Sequence, residues 1–418
     1  MQKDYAVVVG IDWADKKHAY ALKVKGSDKI RCGYFIQKAS SIGDWVEMLR
    51  KLSGGGKVAI ATEQAKGGLI FALMKYDFIH LYILNPQNVA NYRESFTSSG
   101  AKSDPADALL ILDFLENRYK KLPAWVPEPE DVRLLQRLTE QRVRLVHDLK
   151  RLGNKLTSTL KEYFPEVLEM FPRIYRTIVA DFLIAYPTLE DAKRATDEEL
   201  LSFFRAHTAG NPKMSAKRIS LIREAAPLIH DRAVIESNLL FVKSLAHGLK
   251  ALNTAIAEYD SKIEEIYSRL PDKKLFDSLP SAGEVSAPRL LAAMGTDRSR
   301  FKSAVELSCF LGISPVIESS GNQSWTHWRF NCNNIIRQSF VEWTFLSLRT
   351  CFWAEELYKK LRAKGKAHSV AIRAIAFKWV RIIFRMWKEK DPYSEARYLK
   401  ALRKAGSPLI NGLQPNPE

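Results

Sequence analysis

Two apolar runs that each end on a carboxylate constrain this chain more than any other feature. YAVVVGID delivers Asp12 at the end of a strand-like segment, and KVAIATE delivers Glu63 in the same way. A strand that terminates on an acid can place it in a crevice beside neighbouring strand ends, where hard oxygen donors hold a divalent cation. Downstream, KSDPADALLILDFL opens a helix with Asp104 and Asp107, three residues apart and so on one face. Oxygen ligands from two strands and one helix face suit paired Mg2+ ions that activate a nucleophile at phosphate. Any one of these acids taken alone would more simply be a solvated surface group. Asp104 alone would be a helix cap with Pro105 behind it.

The order of elements points the same way. YAVVVGI, HAYALKV, IRCGYFIQ, KVAIAT and HLYILN read as strands, and SIGDWVEMLRKL reads as an amphipathic helix between the third and fourth. Three strands followed by helix–strand–helix–strand predict an α/β domain with a mixed sheet over residues 1–125. With its ordered acids, that domain has the pattern of a ribonuclease-H-like nuclease fold. The KLSGGGK turn leads into a strand rather than a helix, so it is a plain connection and not a phosphate loop.

Past the PEPE punctuation at residues 127–130 the pattern turns helical. Leu135, Leu138, Leu145, Leu149, Leu152 and Leu156 recur at three- and four-residue steps, broken only by Arg142. Val242, Leu245, Leu249, Leu252, Ile256, Tyr259, Ile263 and Ile266 hold the same spacing. Two such helices are expected to pack on each other or on a second protomer, as a coiled-coil dimerisation region over residues 126–272.

Residues 273–418 form a third, mostly helical region. Its opening LPSAG resembles a helix–hairpin–helix turn, whose backbone amides could approach a phosphate, although a capping turn explains it equally well. Between residues 320 and 404 there are 18 Lys/Arg against 6 Asp/Glu, which carries +12 of the chain's net charge of +17. Six of the nine tryptophans lie there too. Basic residues interleaved with aromatics suit phosphates and bases, although Phe377, Val380 and Phe384 share a helix face that is core. The candidate nucleic-acid contacts are Arg329, Arg337, Lys359, Lys360, Arg362, Lys364 and Lys366. Such an excess of positive charge argues for a polyanionic partner. No apolar stretch approaches the roughly 18 residues of a membrane span, and the N-terminus carries no signal region. Cys32, Cys309, Cys332 and Cys351 lack metal-ligand spacing and read as buried, reduced thiols of a cytoplasmic protein.

One polar cluster interrupts this last region, FLGISPVIESSGNQSWTHWRF, in which Ser319-Ser320-Gly321 reads simply as a turn. Together, the GID…TEQ…KSDPADA pattern, the central paired helices and the LPSAG…RFKSAVELSCFLGISPVIESSG segment resemble the DEDD transposases of the IS110 insertion-sequence family. The resemblance covers nearly the whole chain. It implies a RuvC-like domain, a coiled-coil dimerisation region and a C-terminal transposase domain. It also implies a serine-dependent recombinase guided by a structured noncoding RNA, the bridge RNA, that pairs with target and donor DNA. By position, the DEDD acids are Asp12, Glu63, Asp104 and Asp107, and the nucleophile is Ser320, with Ser319 the alternative. The implied partners are donor and target DNA, the bridge RNA and further copies of the chain, as a dimer or a tetramer on DNA. The implied setting is the prokaryotic nucleoid.

Two other functions fit the residues. A metal-dependent junction-resolving nuclease would use water as nucleophile and leave Ser320 structural. An RNA-binding or architectural protein would carry the acids as vestiges. Covalent protein–DNA adducts separate the first of these from a recombinase, and divalent-metal dependence separates the second.

Overall fold

The computed structural model describes residues 4–64, 67–95, 103–207 and 211–410. The chain divides into two compact units, residues 1–127 and 128–418.

The first unit is mixed α/β. Its elements run β1 (Val7–Asp12), β2 (Lys17–Val24), β3 (Ile30–Ile36), α1 (Ala39–Ser53), β4 (Val58–Thr62), α2 (Gly68–Leu73), β5 (Ile79–Ile83), α3 (Pro86–Glu94) and α4 (Asp104–Arg118). The sheet order is β3-β2-β1-β4-β5. β1 is antiparallel to β2 and parallel to β4, and β4 is parallel to β5. Val7, Val9, Ile11 and Ile60 pack on one face with Ile42, Trp45, Val46 and Leu49 of α1. Val8, Ala59 and Ala61 pack on the other face with Ala108, Ile111 and Leu112 of α4. Cover on both faces explains why β1 and β4 read as continuous apolar runs rather than as alternating ones.

The second unit is mostly helical and is organised on two long helices, α5 (Glu130–Tyr163) and α11 (Arg232–Arg269). Arg142 pairs with Asp260, Leu152 lies against Gly248, and Glu162 accepts from Asn238, so the two run antiparallel within one chain. Arg142, the polar break in the leucine series, is answered by a bidentate Asp260. Between them, α6–α10 (Glu166–Met170, Thr177–Ala185, Leu189–Arg194, Asp197–His207 and Pro212–Glu224) pack on Leu156, Leu160, Leu245 and Leu249. At the other end, Val132, Leu135, Ile263 and Ile266 join the core of the C-terminal helices.

Those helices are α12 (Lys273–Asp277), α13 (Gly283–Met294), α14 (Ala304–Phe310), α15 (Asn334–Ser347), α16 (Phe352–Ala363), α17 (His368–Glu389) and α18 (Glu395–Lys404). A hairpin, β6 (Val316–Ser320) and β7 (Gln323–His327), stands between α14 and α15. Trp343, Trp353, Trp379 and Trp387 are fully buried. Each indole N–H is satisfied internally, by the Pro280 carbonyl, the Tyr393 hydroxyl, the Ser347 hydroxyl and the Gly295 carbonyl respectively. Most of the tryptophans read as an aromatic nucleic-acid surface are therefore core. The bond from Trp343 also holds the LPSAG turn, where Ser281 sits at φ 52° and Gly283 at φ 52°. All four cysteines are unpaired, but they are not all buried as expected: Cys32 is exposed on the edge strand β3. Among the described residues, no helix is long and apolar enough to cross a membrane.

Candidate active site

The acids of the first unit lie toward the carboxyl ends of β1 and β4. Ile11 pairs with Thr62 across the two parallel strands, so Asp12 and Glu63 emerge side by side. α4 brings the other two. Ser103, not Asp104, is its N-cap residue, and Asp104 and Asp107 both lie in its first turn. Gly10 fixes how closely that helix approaches: a Cβ there would stand 2.4 Å from the Ala108 carbonyl oxygen. A glycine inside an apolar strand is the sequence signal for this close packing.

Burial, and then the charges of Asp107, Asp104 and Glu63 in that order, push the Asp12 carboxyl up to about 6. Arg93 of α3, which sequence reasoning missed, opposes this and bonds Asp107, Nη2 to Oδ1, at 2.7 Å. The loop after Asp12 is held by His18, which is fully buried. Its Nδ1 accepts from the Ala14 N–H at 3.3 Å, and its Nε2 lies 2.6 Å from Gln37 Oε1. Burial holds the His18 pKa below the usual histidine value, which suits a neutral ring donating from Nε2. Four hard carboxylates with one guanidinium among them have the charge and donor chemistry for a divalent cation. Among the described residues, however, no three acid, His or Cys groups converge closely enough to hold one.

Ser320 is the last residue of β6, paired with Gln323 across the hairpin, while Ser319 pairs with Ser324. Gly321, at φ 57°, and Asn322 make the two-residue turn. A Gly-Asn pair between two five-residue runs is a hairpin signal in the sequence. Strand alternation puts Ser320 and Glu318 on one face and Ser319 on the other. Glu318 is already committed to His327 Nε2 at 2.8 Å and Trp325 Nε1 at 3.1 Å. Among the described residues, no side chain hydrogen-bonds the Ser320 hydroxyl.

At the foot of the hairpin, Arg329 Nε donates to the Ser314 carbonyl, and Arg337 donates to the Arg329 carbonyl at 2.8 Å. The C-terminal basic run is less free than the sequence suggested. Lys359 is paired with Glu355 at 2.8 Å and Glu356 at 3.1 Å, Lys360 donates to the Pro408 carbonyl, and Arg362 donates to the Lys366 carbonyl. The reason is helical spacing: Glu355 and Glu356 precede Lys359 by four and three residues.

Residues 9–165 match the profile of the DEDD transposases of IS110, described as a transposase. Residues 273–359 match the profile of the transposase IS116/IS110/IS902 family. The chain belongs to the IS110 family of transposases. It is similar to the mini-circle putative transposase for IS117 of Streptomyces coelicolor, at 24% identity over 96% of this chain and 98% of that one. It is also similar to an insertion element IS900 protein of Mycobacterium paratuberculosis, at 26% identity over 93% and 98%. The insertion element IS116 protein of Streptomyces clavuligerus matches at 25% identity over 93% and 96%. A DEDD transposase implies a divalent metal, typically Mg2+, and Asp12, Glu63, Asp104 and Asp107 are the residues that would hold it.

Proposed function

We propose that this IS110-family transposase is an RNA-guided DNA recombinase, with a ribonuclease-H-like acid domain, that cuts and rejoins donor and target DNA through a phosphoserine. The three carboxylates whose charge acts on Asp12, those of Asp107, Asp104 and Glu63, support this reading. The Ser320 oxygen attacks phosphorus, the Ser320–phosphate bond forms, and the bond to one deoxyribose oxygen breaks. The serine proton passes to a carboxylate, and the departing oxygen takes up a proton. A hydroxyl of the exchanged strand then reverses the step, so the phosphodiester is conserved without hydrolysis or ATP. A bound Mg2+ would stabilise charge on the phosphate oxygens. Asp12, Glu63, Asp104 and Asp107 orient the phosphate and hold the proton. Because no side chain among the described residues hydrogen-bonds the Ser320 hydroxyl, the acids supply its base, from the same chain or another protomer. In this reading the chain works as a dimer or tetramer on DNA with a structured bridge RNA, at the nucleoid.

Ser320→Ala should abolish the covalent DNA adduct while DNA binding persists. Asp12→Asn, Glu63→Gln, Asp104→Asn and Asp107→Asn should each cripple strand exchange. That no side chain among the described residues hydrogen-bonds the Ser320 hydroxyl favours a second reading, a metal-dependent nuclease in which water attacks. Cleavage at full rate by Ser320→Ala and by Ser319→Ala would select it.

A further inference from the structure

We propose that Trp328, Arg337 and Arg373 form a phosphate clamp at the foot of the β6–β7 hairpin, gripping the backbone of the DNA strand presented to Ser320. This inference rests on the recombinase reading and adds a binding site to it.

Three elements converge there: Trp328 follows β7, Arg337 lies in the first turn of α15, and Arg373 lies on α17. The Arg337 and Arg373 guanidinium carbons stand over the Trp328 ring, 4.5 and 4.4 Å from its centroid. The two cations are thus within about 9 Å of each other, where like charges repel unless something negative sits near them. The negative face of the indole offsets part of that repulsion. It does not neutralise the charge.

The pairing of these arginines differs from that of several others in the unit, and only here do two guanidinium groups share one ring among the described residues. Arg298 binds Asp272 through two bonds, Arg289 binds Glu342 and Arg142 binds Asp260, whereas Arg218, stacked on Phe171 and Phe204, donates to the Met170 carbonyl and has no carboxylate among the described residues. Among the described residues, Arg329, Arg337 and Arg373 pair with none. Arg337 spends two donors on neutral acceptors, the Arg329 carbonyl at 2.8 Å and Asn334 Oδ1 at 2.6 Å, which aim the fork without cancelling it. Arg373 makes no hydrogen bond at all among the described residues. The two guanidinium groups on the Trp328 ring therefore keep their charge available. A site that exchanges an external phosphate needs such charge, and a guanidinium fork matches two phosphate oxygens.

Position names the strand. His327 pairs with Val316 at the foot and Gln323 with Ser320 at the tip, four residues further along β6. At about 3.4 Å per residue the hydroxyl lies ~14 Å away, or about four base steps of duplex. A backbone gripped at the foot would lead the attacked phosphate toward the tip.

The test uses the full-length protein and a fluorescein-labelled DNA duplex, titrated by anisotropy over a range of salt. Arg373→Gln and Arg337→Gln should each reduce the slope of log K against log salt by about 1, and Arg373→Lys should retain it. Circular dichroism and melting of each variant separate weakened phosphate binding from unfolding, and the Lys/Gln pair at position 373 keeps the comparison valid if Arg337→Gln unfolds. An unchanged slope in folded Arg373→Gln overturns the clamp. So does a loss confined to a single-stranded RNA probe, which would assign the stack to RNA. A slope reduced in Arg373→Gln, with no serine adduct in the wild type, keeps the clamp and removes the recombinase reading.

Discussion

Gly10 and Ala108 meet backbone to backbone, because a Cβ on Gly10 would stand 2.4 Å from the Ala108 carbonyl oxygen and 2.4 Å from the Leu112 nitrogen. The second acid pair therefore reaches the first only because α4 rests directly on β1. Both atoms in the way are helix backbone and cannot rotate aside. Gly10→Ala should lift α4, cost about 1–3 kcal/mol by overpacking and separate Asp107 from Asp12. Thermal melting and strand-exchange assays together check this. Wild-type values in both would show that the helix is not held by that contact.

The burial of Asp12, and then the neighbouring acids, give a pH dependence with a definite sign. The Asp12 carboxyl is raised from 3.8 to about 6, so between those values the folded protein binds more protons than the unfolded chain. The favourable contribution of protonated Asp12 is complete below 3.8 and is lost as pH rises through about 6. In chelator, the denaturation midpoint should fall across that window, and Asp12→Asn should flatten the fall and be the more stable protein at about pH 7. Added Mg2+ should restore stability to the wild type but not to Asp12→Asn. A wild-type midpoint that rises across the same window, just as in Asp12→Asn, would mean that neither burial nor the neighbouring acids raise the Asp12 carboxyl.

The acid pattern was legible as far as local periods reach: Asp12 ends one and Glu63 follows the other of two neighbouring parallel strands, and Asp104 and Asp107 share the first turn of α4. The strands also lie where hydrophobic runs put them. Three other features escaped for physical reasons. Counting tryptophans does not reveal burial, and Trp343, Trp353, Trp379 and Trp387 turned out to be core. Counting lysines does not reveal pairing, and Lys359 turned out to be balanced by two glutamates of its own helix. Arg93 and Arg373 act through contacts distant in sequence, with Asp107 and Trp328, which no local spacing encodes.

Arg142 offers a test of what the antiparallel helix pair needs. It interrupts the leucine seam and meets Asp260 in a bidentate pair, with the Arg142 side chain 14% exposed and that of Asp260 45%. A partly buried ion pair contributes little net stability, because desolvation offsets attraction. Arg142→Leu should therefore change stability by no more than about 1 kcal/mol, since it continues the seam. Asp260→Ala strands the guanidinium and should cost more, about 1–3 kcal/mol. Chemical denaturation of the two variants decides it, and a larger loss in Arg142→Leu would make the pair a net stabilising contact.

The basic run at residues 359–366 should divide by pairing state. Lys359 shares its charge with Glu355 and Glu356, which hold its ammonium pKa above the usual lysine value, so a phosphate would have to displace two carboxylates to reach it. Lys364 and Lys366 form no ion pair among the described residues and flank Gly365, in the turn between α16 and α17. Removing one lysine that touches a phosphate should reduce the salt slope of binding by about 1. Lys364→Gln with Lys366→Gln should then reduce the slope for DNA or RNA by about 2, while Lys359→Gln leaves it nearly unchanged. Equal effects at all three positions would mean that the glutamates yield freely to phosphate. No effect at any of them would make the run a solvated surface, and nucleic-acid contact would fall to the arginines at the hairpin foot.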